Sequence, residues 1–204
     1  MTANMTPDPY GTHASILLRL QETSPLPREI AWAEFYAFYA PIIAGFARHL
    51  GASPQDIQDV IQDVMLGFYR ASPAFVYEPA KGRFRGFLKV CTFRALRARA
   101  AGRLRLRTNR LDDLDPESPE VTRIWAEHWD QEVLRQALQA VRDDYQEPAC
   151  RKTFRAFELY VILGKNSADV ARELNMEINS VHKAKERITK ALRRKIRELD
   201  QDHG

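Results

Sequence analysis

Three aspartates recur at helical spacing in PQDIQDVIQDVMLGFYR, and they are the clearest candidates for chemistry in the chain. Asp56, Asp59 and Asp63 stand at offsets of 3 and 7, so a helix would place them on one face. Such a face could supply carboxylates to a nucleic-acid enzyme, or it could bind the cations of a partner protein. No histidine lies within this helix, which favours a binding face over a catalytic one.

Other residue types that carry catalysis or bind metals are scattered. The two cysteines, Cys91 and Cys150, fit no metal-ligand spacing, and the five histidines form no paired pattern. No nucleophile with a neighbouring base and no phosphate-cradling glycine loop stands out. We therefore predict no catalytic residue, no metal site and no cofactor, and we expect a protein that is not an enzyme.

Positive charge is concentrated in two blocks, although the formal net charge of the 204-residue chain is only +4. Residues 81–110 hold eleven Lys or Arg and no acid, and residues 181–197 hold eight and one Glu. Between the blocks, residues 111–120 hold five acids and no base. Two basic blocks separated by an acidic, proline-containing spacer indicate two nucleic-acid contacts on separate modules.

The elements that must position these residues are nearly all helical. Pro41 is expected to kink or divide a long apolar helix, and the two prolines of SPLPRE to interrupt the chain before it. Gly51 is expected to end that helix and Ser53 to cap the next, while residues 72–82 are expected to form a loop. Helical periodicity predicts an all-α fold with helices at 15–21, 30–50, 54–70, 86–105, 129–143 and 154–164.

The chain shows no sign of export or membrane insertion. No uninterrupted apolar run approaches the roughly 18–20 residues of a membrane span, and the N-terminus lacks the pattern of a secretory signal. We expect a cytoplasmic protein with reduced thiols and no membrane insertion.

Residues 166–199 predict two helices joined by a short turn. Ala171 is small where two helices would cross, Asn175 tolerates a left-handed turn, and Val181 would pack the second helix onto the first. This spacing is typical of a helix-turn-helix at about 167–186, whose second helix enters a DNA major groove. An ordinary helical hairpin is the alternative. The exposed face of the second helix would carry the DNA contacts: Ser180, His182, Lys183, Lys185, Glu186 and Arg187.

Three stretches, taken in order, resemble bacterial RNA polymerase sigma factors. AEFYAFYAPIIAGFARHLGASPQDIQDVIQDVMLGFYR resembles the paired helices that open the −10 domain, and YEPAKGRFRGFLKVCTFRAL resembles the promoter-melting segment. NSADVARELNMEINSVHKAKERITKALRRKI is similar to the −35-reading helix-turn-helix. The arrangement of two domains separated by only a short spacer resembles that of the extracytoplasmic-function (ECF) subfamily.

The resemblance implies two small helical domains joined by a flexible acidic linker. The −10 and core-binding domain would span 12–107, the linker 108–128 and the −35 domain 129–200. Partners would be core RNA polymerase and promoter DNA, with an anti-sigma factor or a kinase as candidate regulators. The polymerase-binding residues would be Asp56, Asp59, Val60, Gln62, Asp63 and Met65.

For the −10 contact, the resemblance implies a loop that receives an unstacked base and a cationic helix along the duplex. The expected contacts are Phe75, Tyr77, Lys81, Arg83, Arg85, Lys89, Arg94 and Arg97. By helical spacing, Phe87, Leu88 and Cys91 are expected in the core, whereas Arg99 is expected to be solvated.

Two other classes of function are open on the residues. A stand-alone helix-turn-helix regulator would need neither the acidic face nor the melting loop. A nucleic-acid enzyme would need a carboxylate cluster of the kind that only Asp56, Asp59 and Asp63 approach.

Overall fold

The computed structural model describes residues 13–22, 24–75, 84–103 and 114–203, and within these ranges it is all-helical, as predicted. A 3-10 turn (Ser72–Ala74) follows α3, and a π-helical turn (Glu158–Ile162) follows α6. Tyr77, Lys81 and Arg83, named as −10 contacts, lie outside the described residues. The helices are α1 (His13–Arg19), α2 (Pro25–His49), α3 (Pro54–Ala71), α4 (Phe84–Arg103), α5 (Pro119–Asp144), α6 (Pro148–Phe157), α7 (Ser167–Glu173) and α8 (Ile178–His203).

The chain divides into two compact units, and the division falls inside α5. The first comprises the described residues within Met1–Glu132 and Gln201–Gly204, and the second comprises Val133–Asp200. This division differs from the predicted boundary at residue 129.

Helix α2 is longer and more continuous than its prolines predict. It begins at Pro25 rather than at residue 30, because proline fits the first turn of a helix, where its missing N–H needs no partner. Pro41 lies inside it without dividing it. Both neighbours of Pro41, Ala40 and Ile42, are buried, so packing offsets the lost backbone hydrogen bond.

The core of the first unit is aromatic. Phe35 of α2 stacks on Phe68 of α3 with ring centroids 5.0 Å apart, and Phe84 of α4 approaches Phe35 at 5.9 Å. Together these rings join α2, α3 and α4 into one packed body. Their burial contributes favourably to the stability of this unit.

The start of α5 completes this core, so the predicted flexible linker is wrong from Pro119 onwards. Val121, Ile124, Trp125 and Trp129 are all buried, and their offsets of 3, 4 and 8 give one apolar helix face. The Trp125 ring lies 5.1 Å from Phe46, and the Trp129 ring lies 5.8 Å from Phe38. Acidic composition masked this pattern in the sequence.

One helix of the described residues, α2, is long and apolar enough to cross a membrane by length and composition. The helix passes this test through its mean hydropathy and not through an uninterrupted apolar run, so the expectation of no membrane insertion stays a prediction. Within the most apolar window, 56% of the helix is buried inside the protein, as in the core helix of a soluble protein.

The second unit holds two apolar clusters that share α8. One joins α5, α6 and α8 through Val141, Phe157 and Ile188. The other joins α7 and the π turn to α8 through Val170, Leu159 and Val181. Helix α8 is therefore held along one face by both clusters.

Candidate nucleic-acid interface

The acidic face begins where the sequence predicts. Ser53 caps α3, accepting a hydrogen bond from the Asp56 backbone N–H at 3.2 Å and donating its hydroxyl to Asp56 Oδ2 at 2.6 Å. Gly51 precedes it with a φ of 86°, a conformation that favours glycine and ends α2 as predicted.

Arg99 of α4 binds the two other aspartates. Its Nη1 lies 2.7 Å from Asp59 Oδ2, and its Nη2 lies 2.6 Å from Asp63 Oδ2. Two carboxylates four residues apart on a helix repel each other, and the guanidinium between them offsets that repulsion. Arg99 was expected to be solvated, and that expectation is wrong. Because its partners lie 36 and 40 residues away in the chain, no local pattern could have found the pairing.

Of the apolar residues named for polymerase contact, Val60 is fully buried and Met65 is nearly so. Val60 belongs to the core face of α3, since its spacing is that of Ile57 and Val64, so its assignment as a contact is contradicted. Met65 reaches the floor of a surface groove of about 420 Å³ between α2 and α3. The groove is lined by Trp32, Tyr36, Gln58, Gln62, Met65, Leu66 and Tyr69.

Some of the basic side chains of α4 make contacts inside the protein. Lys89 is only 5% exposed, and its Nζ donates to Thr122 Oγ1 at 3.0 Å and lies 3.5 Å from Glu117 Oε2. The Arg85 guanidinium lies 5.7 Å from the centre of the Trp129 ring. The assignment of Lys89 to DNA is therefore contradicted, because the segment that leads into α5 covers it.

Two cations of α4 point to solvent. Arg94 and Arg97 are exposed, as a phosphate contact requires. Arg94 also borders a cavity of about 320 Å³ between α3 and α4, together with Asp63, Gly67 and Phe87.

The loop aromatic Phe75, named as a −10 contact, packs against rings of α3 and α4. Its ring lies 5.2 Å from Phe68, 5.9 Å from Phe84 and 5.5 Å from Phe87. Phe87, expected in the core, is 43% exposed at the edge of this cluster, while Leu88 is fully buried as expected. Phe87 is thus the more accessible of the two rings for a base, and the Phe75 ring packs against it.

Cys91 is half-buried beside the same cavity. Burial raises the pKa of its thiol, and the positive charge of Arg94 partly offsets this.

Residues 35–105 match the family model of Sigma-70 region 2. The match runs from within α2 through α4, so it contains the acidic face, the α3–α4 cavity and the exposed cations of α4. It supports a sigma factor of the sigma-70 family, with a role in promoter recognition together with RNA polymerase. No curated protein matches the chain.

Outside the region 2 match, α7 and α8 lie where the sequence predicts two helices and a turn. Asn166 caps α7 by accepting the Asp169 N–H at 2.9 Å, and Asn175 has a φ of 47° in the turn. Ala171 and Val181 are buried against each other's helices in one cluster. The use of this arrangement on DNA stays a prediction.

The face of α8 that was predicted to read DNA is accessible. His182, Lys183, Lys185, Glu186 and Arg187 are exposed, whereas Ser180 is half-buried. The Tyr160 ring of the π turn touches two of these residues, a contact that no sequence pattern indicated. Its centroid lies 5.5 Å from that of His182 and 5.7 Å from Lys185 Nζ.

Proposed function

We propose that this protein is a sigma factor of the extracytoplasmic-function subfamily. It binds core RNA polymerase, directs it to promoters with −10 and −35 elements, and promotes strand opening. The observation that carries the proposal is the Sigma-70 region 2 match over α2, α3 and α4. The basic second unit, with its two helices and turn, supports the −35 role.

The polymerase contact is assigned to the solvent side of α3 and the adjacent groove. Asp59 and Asp63 are partly exposed even with Arg99 bound, so a cation of the partner can still reach them. Gln62 lines the groove, where Tyr36 and Leu66 are 49% and 42% exposed. An exposed tyrosine beside polar side chains is typical of protein interfaces.

The −10 contact is assigned to the exposed side of α4. Arg94 and Arg97 supply phosphate contacts, and Phe87 supplies an accessible ring at the mouth of the α3–α4 cavity. A ring that replaces base stacking favours the open strand, while neighbouring cations hold its backbone. Strand opening would then use Phe87 rather than Phe75.

The −35 contact is assigned to the exposed face of α8. Lys183, Lys185 and Arg187 suit phosphates and guanine edges, and His182 and Glu186 can also read bases. This face is held rigidly, because α8 packs on both apolar clusters of the second unit.

A protein with this role has no catalytic chemistry of its own, and RNA synthesis belongs to the polymerase. Among the described residues, no group of three or more His, Cys, Asp or Glu could hold a metal ion. The protein would act in the cytoplasm, under the control of an anti-sigma factor or a kinase.

Transcription with purified components tests the proposal. Core polymerase from the same organism is mixed with the protein and genomic DNA, and transcript starts are sequenced. Starts that share −10 and −35 elements, and that appear only with the protein present, support the sigma assignment. DNA binding without any polymerase-dependent starts would instead indicate a stand-alone helix-turn-helix regulator.

A further inference from the structure

We propose that Tyr160 is a positioning residue for the DNA-reading face of α8. The inference rests on the proposed −35 role, and it adds a residue that lies outside both helices of the predicted motif. Tyr160 would act through His182 and Lys185 rather than by touching bases itself.

The π turn gives Tyr160 its place. The Leu163 N–H donates to the Glu158 carbonyl, five residues back, at 2.9 Å, and the Lys165 N–H donates to the Leu159 carbonyl at 3.0 Å. Gly164, with a φ of 67°, allows the chain to turn there. The wider turn keeps Leu159 buried in the cluster of α7 and α8 while Tyr160 lies partly buried beside it.

From this place the ring supports two exposed side chains of α8 together. His182 and Lys185 are three residues apart, so they project from the same face of the helix. The His182 ring meets Tyr160 edge to face, at an interplanar angle of 84°, and the Lys185 ammonium lies over the ring at 5.7 Å. One ring therefore restricts both side chains.

Restriction matters because lysine and histidine lose rotamer freedom when they bind DNA. Side chains that are already ordered lose less on binding, which raises affinity without a new contact. Direction matters too, since a base contact requires the imidazole to meet one base edge. Tyr160 would thus affect sequence discrimination more than general affinity for DNA.

Two substitutions distinguish the effect of the aromatic ring from the effect of filling the same place with an apolar side chain. Tyr160→Phe keeps the ring and removes only the hydroxyl, whereas Tyr160→Leu removes the ring and keeps an apolar side chain in the cluster. Tyr160→Met is a second ring-less variant, because methionine adapts to irregular packing and remains usable if the leucine variant is unstable.

The first measurement is the proton NMR spectrum of the full chain. The His182 ring protons are assigned from the signals that His182→Ala removes. We expect Tyr160→Phe to leave their chemical shifts close to those of the parent protein, and the ring-less variants to move them. Unchanged His182 shifts in the ring-less variants would overturn the contact.

The second measurement is sequence selection by the holoenzyme, using a duplex library randomised over one helical turn at the −35 position. We expect the ring-less variants to lower enrichment of the preferred bases about fivefold, and Tyr160→Phe to change it less than about twofold. His182→Ala and Lys185→Ala are measured in parallel.

The His182 and Lys185 variants distinguish failure of the positioning role of Tyr160 from failure of the −35 role of α8. If His182→Ala lowers enrichment while the ring-less Tyr160 variants match the parent protein, the positioning role is overturned and the −35 role stands. If neither His182→Ala nor Lys185→Ala changes binding at any position, the −35 role of this face fails and the positioning role fails with it.

Discussion

Helices α4 and α8 have similar positive charge in the sequence but present it differently. In α4, Lys89 is buried against Thr122 and Glu117, and Arg99 is bound between two aspartates of α3. In α8, Lys183, Lys185 and Arg187 are all exposed. The difference follows from position, because α4 packs against α2, α3 and the start of α5, whereas α8 is covered along one face. The number of basic residues in a helix is therefore only an upper limit on the number that can contact DNA.

The largest effect should come from removing a side chain with which α5 completes the aromatic core of the first unit. Trp129→Ala deletes a fully buried indole that packs on Phe38 and Tyr39, and we expect it to lower the free energy of unfolding by about 3–5 kcal/mol. Denaturant unfolding followed by circular dichroism measures this. Leu134→Ala, at a residue of α5 that is 46% exposed, is the control and should change stability by about 0.5 kcal/mol or less. Equal losses in the two variants would show that α5 is not part of the first core.

The next effect tests whether the aspartates that neutralise Arg99 also bind polymerase. Asp59→Arg with Asp63→Arg should weaken association with core polymerase by at least about tenfold, because like charges would then face each other. Co-purification and fluorescence anisotropy measure the loss. Since the double reversal also surrounds Arg99 with like charge, Asp59→Asn with Asp63→Asn is made alongside, and thermal unfolding checks both.

Asp130→Arg reverses an exposed acid elsewhere in the first unit and is the matched control. Undiminished polymerase binding by the folded double variants would remove this face from the interface.

The third prediction separates exposed from covered cations within α4. Arg94→Ala with Arg97→Ala should lower the salt dependence of holoenzyme binding to promoter DNA by about 0.9 for each phosphate that is no longer neutralised. Lys89→Met removes a covered charge and should leave that slope unchanged. Filter binding over a series of salt concentrations gives the slopes. A smaller slope in the Lys89 variant would mean that this lysine is released when DNA binds.

The smallest effect is a pH dependence in the first unit. Burial lowers the pKa of His128, and the nearby charge of His49 lowers it further, with Arg48 in the same direction and Glu127 and Gln131 opposing. Because the folded state binds the proton less readily than the unfolded state, this contribution to stability is complete above the unfolded pKa of about 6.5 and declines below it. The melting temperature should therefore fall between pH 7 and pH 5. His128→Gln should reduce that fall, and an identical fall in the variant would assign it to other groups.

Local signals predicted the helices and many of their ends. Ser53, Gly51 and Asn175 occupy the caps and the turn that their types indicated, because these conformations depend on a few neighbouring residues. The starting point of α2 was missed, since prolines that end a helix also suit its first turn.

The candidate site was less predictable, because whether its side chains are exposed depends on contacts with residues far away in the sequence. The acidic face was found by spacing, yet its bridging Arg99 lies on another helix. Lys89 and Phe75 are of residue types that suit DNA, and only their packing partners show that both are engaged within the protein. Tyr160 carried no sequence signal at all, since a π turn changes which residues face a neighbouring helix.

The half-buried Cys91 makes the α3–α4 cavity observable in solution. With its pKa raised by burial, this thiol is largely protonated at neutral pH and should react slowly with maleimide reagents. A DNA strand entering the cavity would cover the sulfur and slow the reaction further, whereas binding at α8 would leave it unchanged. In a Cys150→Ser background, the rate at which maleimide labels the Cys91 sulfur would therefore report when a DNA strand enters the cavity during promoter opening.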